Sequence, residues 1–158
     1  MQLKLRKKSK FMALKEIEIG QTFRIHYMVE TICLKVNENE AVCLKSGVLM
    51  TLLPVDEYQV VEGVFTNDLY DDEFLANERH LTFRDLKVGE CFYRECEGSH
   101  MKRYIKCSKY FSSGNRMEEK FLAVCIDRWN GEIGSAGEIL LIRDDEEVFR
   151  YTGIFEEN

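Results

Sequence analysis

The chain has 158 residues, of which 45% are hydrophobic, so it can bury a core either as one domain or as two small ones. Its net charge of −6 argues against a general nucleic-acid coat protein and favours a soluble protein whose copies repel one another. No apolar run is long enough to span a bilayer, and none follows the basic start as in a signal peptide, so we expect a cytoplasmic protein.

The chain begins with a basic segment, residues 1–10, which contains five lysine or arginine residues and no acid. We interpret it as a solvated N-terminal arm, and the alternative is an arm that grips phosphate or an acidic surface. Between Phe11 and Ile19 the spacing of apolar residues fits either a short helical turn or an extended lead-in to the first unit.

Residues 11–63 are predicted to form a first β unit. Their apolar segments are short, rich in β-branched and aromatic residues, and separated by polar turns. This pattern is typical of a small antiparallel barrel or half-barrel. The predicted strands lie at about residues 21–29, 31–36, 41–45, 48–53 and 58–61.

An acidic segment, residues 64–80, interrupts the strand pattern. Asn67 is a favourable N-cap residue, and the acids that follow it would interact favourably with the positive end of a helix dipole. We therefore predict a linker helix between two β units. Since no Gly/Ser-rich linker occurs, we do not expect the two units to tumble independently.

Residues 81–158 are predicted to form a second β unit with longer loops. One loop, residues 110–120, is an insertion that includes a polar turn, and a second loop, residues 129–137, carries the only tryptophan. Because loops are the usual carriers of specific interactions, we expect the second unit to make them. The predicted strands lie at about residues 90–96, 102–109, 121–127, 137–142 and 147–151.

The two units share a sequence pattern. Residues 14–23 match residues 83–92 at an offset of 69, which places Gly20 and Gly89 at equivalent turns before a strand. Cys33-Leu-Lys-Val36 then matches Tyr104-Ile-Lys-Cys107 at an offset of 71, and Ala41-Val-Cys-Leu44 matches Ala123-Val-Cys-Ile126 at an offset of 82. We predict a tandem repeat, that is, an all-β protein of two related antiparallel barrel-like units.

No motif indicates catalysis. The only histidines are His26, His80 and His100, and the sequence places none of them beside a nucleophile. The six cysteines lack the dense spacing of a secreted disulfide scaffold, so we expect reduced thiols. A zinc site made of Cys91, Cys96, His100 and Cys107 would lack the short Cys-x2-Cys spacing. We predict a protein without enzymatic activity, cofactor or metal.

A basic and aromatic cluster in the second unit is the best candidate for binding. Strand alternation puts Ile105, Cys107 and Phe111 on an inward face. The opposite face has Lys102, Tyr104, Lys106 and Tyr110. From residue 100 to residue 120 there are six lysine or arginine residues and two acids. The predicted partner-binding residues are Lys102, Tyr104, Lys106, Lys109, Tyr110, Arg116 and Trp129.

Three interpretations of this cluster stay open at this point. Cations between aromatic rings suit an acidic protein surface with tyrosine anchors, and this interpretation is our leading hypothesis. They equally suit single-stranded nucleic acid or a nucleotide, through phosphate contacts and base stacking. The third interpretation is a strand that is merely solvated by lysines.

The segment Phe83-Arg-Asp-Leu-Lys-Val-Gly89-Glu-Cys-Phe92, together with Tyr104-Ile-Lys106 and the later Ala-Val-Cys strand, resembles a small repeat β-domain of bacteriophage and prophage proteins. The resemblance implies an accessory protein of a mobile element. Among such proteins, inhibitors of bacterial defence systems, such as anti-CRISPR proteins, are a natural class. The expected function is therefore a non-catalytic module that binds a host nucleic-acid-processing or defence complex, and the class of defence inhibitors implies that binding inhibits this complex.

Overall fold

A computed structural model describes residues 10–25, 31–66, 81–96, 100–127 and 135–157. These residues form thirteen β-strands and two short 3₁₀ helices, and the strands pair in an antiparallel manner within three sheets. The all-β prediction is confirmed. In this part of the chain, no helix is both long enough and apolar enough to cross a membrane.

The first half, residues 10–66, contains one six-stranded sheet and a short additional strand. Its elements are β1 (Phe11–Ala13), a first 3₁₀ helix (Leu14–Glu16), β2 (Thr22–Ile25), β3 (Thr31–Lys35), β4 (Glu40–Cys43), β5 (Leu49–Thr51), β6 (Glu57–Val60) and β7 (Gly63–Phe65). The order of strands in the first sheet is β1-β6-β2-β3-β4-β5. Each of the five strands predicted for this half has a counterpart in β2 to β6. Strands β3, β4 and β5 are shorter than predicted, β6 has the predicted length but begins one residue earlier, and β2 is described as far as Ile25.

The second half, residues 81–157, contains a five-stranded sheet. Its elements are a second 3₁₀ helix (Phe83–Asp85), β8 (Cys91–Cys96), β9 (His100–Ser113), β10 (Arg116–Cys125), β11 (Ile139–Leu140), β12 (Phe149–Tyr151) and β13 (Phe155–Glu157). The order of strands in the second sheet is β11-β10-β9-β8-β12. Strand β13 pairs with β7 of the first half in a separate two-stranded sheet.

The two sheets have corresponding strand orders. In the first sheet the order β6-β2-β3-β4-β5 matches the order β12-β8-β9-β10-β11 of the second sheet. The second half has an isolated antiparallel bridge between Thr82 and Glu147 at the position that corresponds to the pairing of β1 with β6 in the first half. Gly20 and Gly89 both have positive φ, of 89° and 94°, and lie at the same turn. The segments that match in sequence thus occupy corresponding places in the fold.

Each of the two large sheets has buried side chains on both faces. The outer face of the first sheet packs against its 3₁₀ helix around Leu14 and Phe23, and the outer face of the second sheet packs likewise around Phe83 and Phe92. The inner faces of the two sheets pack against each other in a shared core. This core contains Leu34, Val36, Val42, Ile105, Cys107, Leu122, Val124, Ile126, Ala136 and Tyr151. Because the shared core takes residues from both halves, neither half buries its inner face alone.

Two glycine turns lock the halves together at corresponding positions. A Cβ atom added to Gly47 would lie 2.6 Å from the carbonyl oxygen of Lys106 and 2.8 Å from the Cα atom of Gly89. A Cβ atom added to Gly137 would lie 2.8 Å from both the Lys35 carbonyl oxygen and the Gly20 nitrogen. Each half therefore presses a glycine against the backbone of the other half, where no side chain fits.

Several sequence predictions need correction. Among the described residues neither sheet closes on itself, so the prediction of two barrel-like units is not confirmed. The linker helix predicted from residue 64 is wrong at its start, since Val64 and Phe65 lie in strand β7, while residues 67–80 lie outside the described part. The loop predicted at residues 110–120 is instead a continuation of β9 and β10 as a hairpin.

We predict that Gly47→Ala and Gly137→Ala each lower the free energy of unfolding by at least about 2 kcal/mol, because they combine a left-handed backbone with a clash against backbone atoms of the other half. The matched control is Gly114→Ala, since Gly114 has φ of 62° but nothing lies within 4 Å of an added Cβ. The control should cost only about 1 kcal/mol. Urea unfolding measures the free energy of unfolding of all three variants. Equal losses in the three variants would show that the contact of Gly47 and Gly137 with the other half adds nothing to the cost of substitution.

Candidate functional site

The hairpin of β9 and β10 is the largest difference between the halves. These strands have 14 and 10 residues, whereas their counterparts β3 and β4 have 5 and 4. We call residues 109–121 the arm. Its two strands stay paired from Lys109 opposite Lys120 to Ser113 opposite Arg116, and Gly114-Asn115 forms the turn between them. Two-residue turns with glycine in positive φ are favoured in such hairpins, since they match the strand twist.

The two faces of the arm differ in chemistry. One face continues the shared core side, where Lys109 forms an ion pair of 2.8 Å with Glu40 of the first half. On the same face the amines of Lys109 and Lys120 lie 5.2 Å and 4.8 Å from the ring centre of Phe111. These contacts anchor the base of the arm and neutralise part of its positive charge.

The opposite face of the arm exposes large apolar side chains. Tyr110 is 59% exposed, Met117 is 70% exposed and Phe121 is 41% exposed. Strand alternation and the observed register place all three on one face, interrupted by Glu119 opposite Tyr110. Clustered exposed apolar residues that include tyrosine and methionine are typical of protein-contacting surfaces. The arm thus offers a narrow apolar face with polar flanks.

The predicted exposed face of Lys102, Tyr104, Lys106 and Tyr110 is wrong for two of its members. Tyr104 and Lys106 are only 2% and 5% exposed, because the second 3₁₀ helix covers this face of β9. Lys102 is half-buried, while Tyr110 and Arg116 are exposed on the arm. Lys109 is half-buried in its ion pair, and Trp129 lies outside the described residues.

Lys106 has a structural role that sequence alternation could not reveal. Its amine donates hydrogen bonds of 2.8 Å to the carbonyl oxygens of Phe83 and Leu86, and it lies 4.6 Å from the Phe83 ring centre. Lys35 makes the corresponding bonds, of 2.7 Å and 2.6 Å, to Leu14 and Ile17. Burial lowers the pKa of both lysines, and neighbouring acids partly oppose this shift. Both lysines therefore fasten a 3₁₀ helix to a sheet.

The predicted excess of positive charge is also reduced by pairing. Arg103 forms an ion pair of 2.7 Å with Asp127, in which both side chains are largely buried. Although burial opposes the charged form, the hydrogen bond and charge of Asp127 raise the pKa of Arg103. With Lys106 buried, and with Arg103 and Lys109 paired to acids, only part of the predicted charge is available to an anionic ligand.

An open cleft of about 440 Å³ lies between the halves. Its walls are mostly apolar, and at its edge Arg150 forms an ion pair of 2.9 Å with Glu90. Cys91 lines the cleft, but burial raises the pKa of its thiol to about 12. This thiol is therefore neutral near pH 7 and a weak nucleophile. The cleft is large enough for a small apolar molecule, and its described lining residues include no nucleophile paired with a histidine base.

The Cys3His set considered for zinc is only partly visible, since the side chains of Cys96 and His100 lie outside those described. Where side chains are described, no group of three or more His, Cys, Asp or Glu residues is placed to hold a metal ion. Cys91 and Cys107 pack in or against the shared core.

Comparison of the chain with protein-family models, curated proteins and solved structures finds no match in any of the three. The choice of the apolar face of the arm as the candidate site therefore depends on its geometry alone. Sequence reasoning missed Met117 and Phe121 because residues 110–120 were interpreted as a loop. The available signal for a hairpin was the dipeptide Gly114-Asn115, a type favoured in two-residue hairpin turns.

We predict that Lys106→Met lowers the free energy of unfolding by about 2 to 4 kcal/mol, because it removes two hydrogen bonds to buried carbonyls. Lys35→Met should cost a similar amount. The control is Lys102→Met on the same strand, where we expect a change within about 0.5 kcal/mol. Chemical denaturation followed by circular dichroism measures these values. A Lys106→Met variant as stable as the wild type would show that the lysine does not fasten the 3₁₀ helix.

Proposed function

We propose that the protein is a non-catalytic binding protein that contacts a protein partner through the apolar face of the arm. The proposal rests on one observation: an ordered hairpin extends beyond the core and exposes Tyr110, Met117 and Phe121 on a single face. Exposed apolar area of this kind contributes nothing to the stability of the monomer, whereas burying it against a partner is favourable.

The shape of the arm fits recognition of a groove or a sheet edge. Its strands are held in register from Lys109 to Arg116, so little conformational entropy is lost when a partner binds. Tyrosine and methionine provide apolar contact area, and Arg116 near the tip adds a charged group at the rim. The partner surface that this arrangement suits is an apolar groove bordered by acidic residues.

We further propose that the two halves arose by duplication and that the second half acquired the arm afterwards. The corresponding strand orders and the paired roles of Lys35 and Lys106 support this origin. Through the resemblance described above, the proposed role is that of a phage or prophage accessory protein. Its partner would then be a host nucleic-acid-processing or defence complex.

Direct binding of single-stranded nucleic acid is the second candidate, and the structure favours it less. Stacking of bases needs exposed aromatic rings beside free cations. Tyr104 and Lys106, two of the four residues of that hypothesis, are buried beneath the second 3₁₀ helix. The remaining exposed cations at Arg116 and Lys120 stand beside Glu118 and Glu119 on the arm.

We predict that the double substitution Tyr110→Ser and Met117→Ser weakens capture of a protein partner at least about tenfold, since hot-spot residues each contribute more than about 1 kcal/mol. The fold should be retained because both side chains are exposed. A pull-down from bacterial lysate, followed by titration of the captured protein, measures the effect. The control is Leu141→Ser, because Leu141 is 80% exposed but lies outside the arm.

Two outcomes would contradict the proposal. One is an unchanged affinity of the arm variant for a partner that the wild type captures. The other is binding of a single-stranded oligonucleotide that weakens steeply with salt and is abolished by Arg116→Glu with Lys120→Glu. The second outcome would establish the nucleic-acid hypothesis in place of the protein-binding one.

A further inference from the structure

Two cysteines of the first half face each other across neighbouring strands. Cys33 of β3 lies directly opposite Cys43 of β4. Hydrogen-bonded and non-hydrogen-bonded residue pairs alternate along an antiparallel ladder. The Leu44 amide donates to the opposite Ile32 carbonyl, and the Val36 amide donates to the opposite Glu40 carbonyl. The pair of Cys33 and Cys43 is therefore a non-hydrogen-bonded one. The Cα atoms of such pairs are about 4.5 Å apart, which is within the range that a disulfide can bridge.

The two thiols have different surroundings. Cys33 is fully buried, whereas Cys43 is 7% exposed at the end of its strand. The Cys33 thiol donates a hydrogen bond to Cys43, which also accepts hydrogen bonds from the Ser46 hydroxyl and from the backbone of Lys45 and Ser46. Oriented donors of this kind stabilise an anion.

These hydrogen bonds change the acidity of the two groups in opposite directions. The bond from Cys33, together with those from the following turn, lowers the pKa of Cys43 despite its burial. The same thiol–thiol bond and burial raise the pKa of Cys33. The reactive form of cysteine is the thiolate, so Cys43 is the better nucleophile and Cys33 stays protonated beside it.

We propose that Cys33 and Cys43 form a peroxide-reactive dithiol, in which Cys43 attacks the peroxide and Cys33 resolves the product as an intramolecular disulfide. Hydrogen peroxide is small enough to reach a thiol that is only slightly exposed. The site is independent of the arm, because both cysteines pack in the core of the first half around Leu14 and Phe23.

The chemistry proceeds in two steps. The Cys43 thiolate attacks one peroxide oxygen, so an S–O bond forms, the O–O bond breaks, and hydroxide leaves to give a sulfenic acid. The Cys33 sulfur then attacks the Cys43 sulfur, the S–O bond breaks, and water leaves with the proton of Cys33. The dithiol loses two electrons in total, and the peroxide accepts them to become water and hydroxide.

The second half provides an internal control. Cys125 corresponds to Cys43, but the residue opposite Cys125 is Tyr104, so no resolving thiol is present there. Burial raises the pKa of Cys125, and it also raises that of Cys107. We therefore expect peroxide to react selectively at the pair in the first half.

The test uses the full chain treated with hydrogen peroxide and then blocked with N-ethylmaleimide under denaturing conditions. Trypsin cleaves after Lys35, so Cys33 and Cys43 fall in separate peptides, residues 25–35 and 36–45. Mass spectrometry without reduction should find these peptides linked by a disulfide in the wild type and in Cys125→Ser. In Cys33→Ser, dimedone should instead trap a sulfenic acid at Cys43. In Cys43→Ser, Cys33 should remain unoxidised and be recovered as its N-ethylmaleimide adduct.

Oxidation of Met117, which is 70% exposed, reports that the peroxide dose was sufficient. If Met117 is oxidised in folded wild-type protein while the two peptides remain unlinked and alkylated, the proposal is overturned. A disulfide that instead joins Cys43 to a cysteine other than Cys33 would also overturn it. The wild-type peptide map decides the question even if a serine variant fails to fold.

Discussion

The structure depends on close contact between backbone segments of the two halves. Gly47 of the first half approaches the Lys106 carbonyl, and Gly137 of the second half approaches the Lys35 carbonyl. The same carbonyls accept hydrogen bonds from Gly89 and Gly20, with lengths of 2.8 Å and 2.7 Å. The backbone carbonyl of each lysine therefore accepts a hydrogen bond from its own half and contacts a glycine of the other half. The side-chain amine of the same lysine holds a 3₁₀ helix against the sheet.

This arrangement explains why both faces of each sheet are apolar. Leu34 and Ile105 point into the shared core, while the next residues along their strands, Lys35 and Lys106, point toward the 3₁₀ helices. A lysine is tolerated there because its amine donates to two carbonyl oxygens of the 3₁₀ segment. One of these, Leu14 or Phe83, also accepts the hydrogen bond that closes the 3₁₀ turn. The two buried lysine amines thus donate the hydrogen bonds that water would donate to these carbonyl oxygens if the 3₁₀ helices were exposed.

Much of the fold could be predicted from the sequence, because strand periodicity and turn residues are local signals. Ten strands and the places of Gly20 and Gly89 were predicted, whereas β1, β7 and β13 were not. Strands β7 and β13 pair with each other across about ninety residues, so local sequence gives little signal for either. The burial of Lys106 was missed because the helix that covers it comes from residues about twenty positions earlier. Polar composition concealed the strands of the arm, since both of its faces lie largely outside the core.

The central claim is that the two halves are one cooperative unit, and amide hydrogen exchange tests it most directly. The Ser108 amide donates to the Gly47 carbonyl across the halves, while the amides of Lys35 and Lys106 donate within the first and second half. All three should exchange only through global unfolding, with opening free energies that agree within about 1 kcal/mol. A Ser108 amide that exchanges through a much smaller opening, or different values for the two lysine amides, would show that the halves open independently.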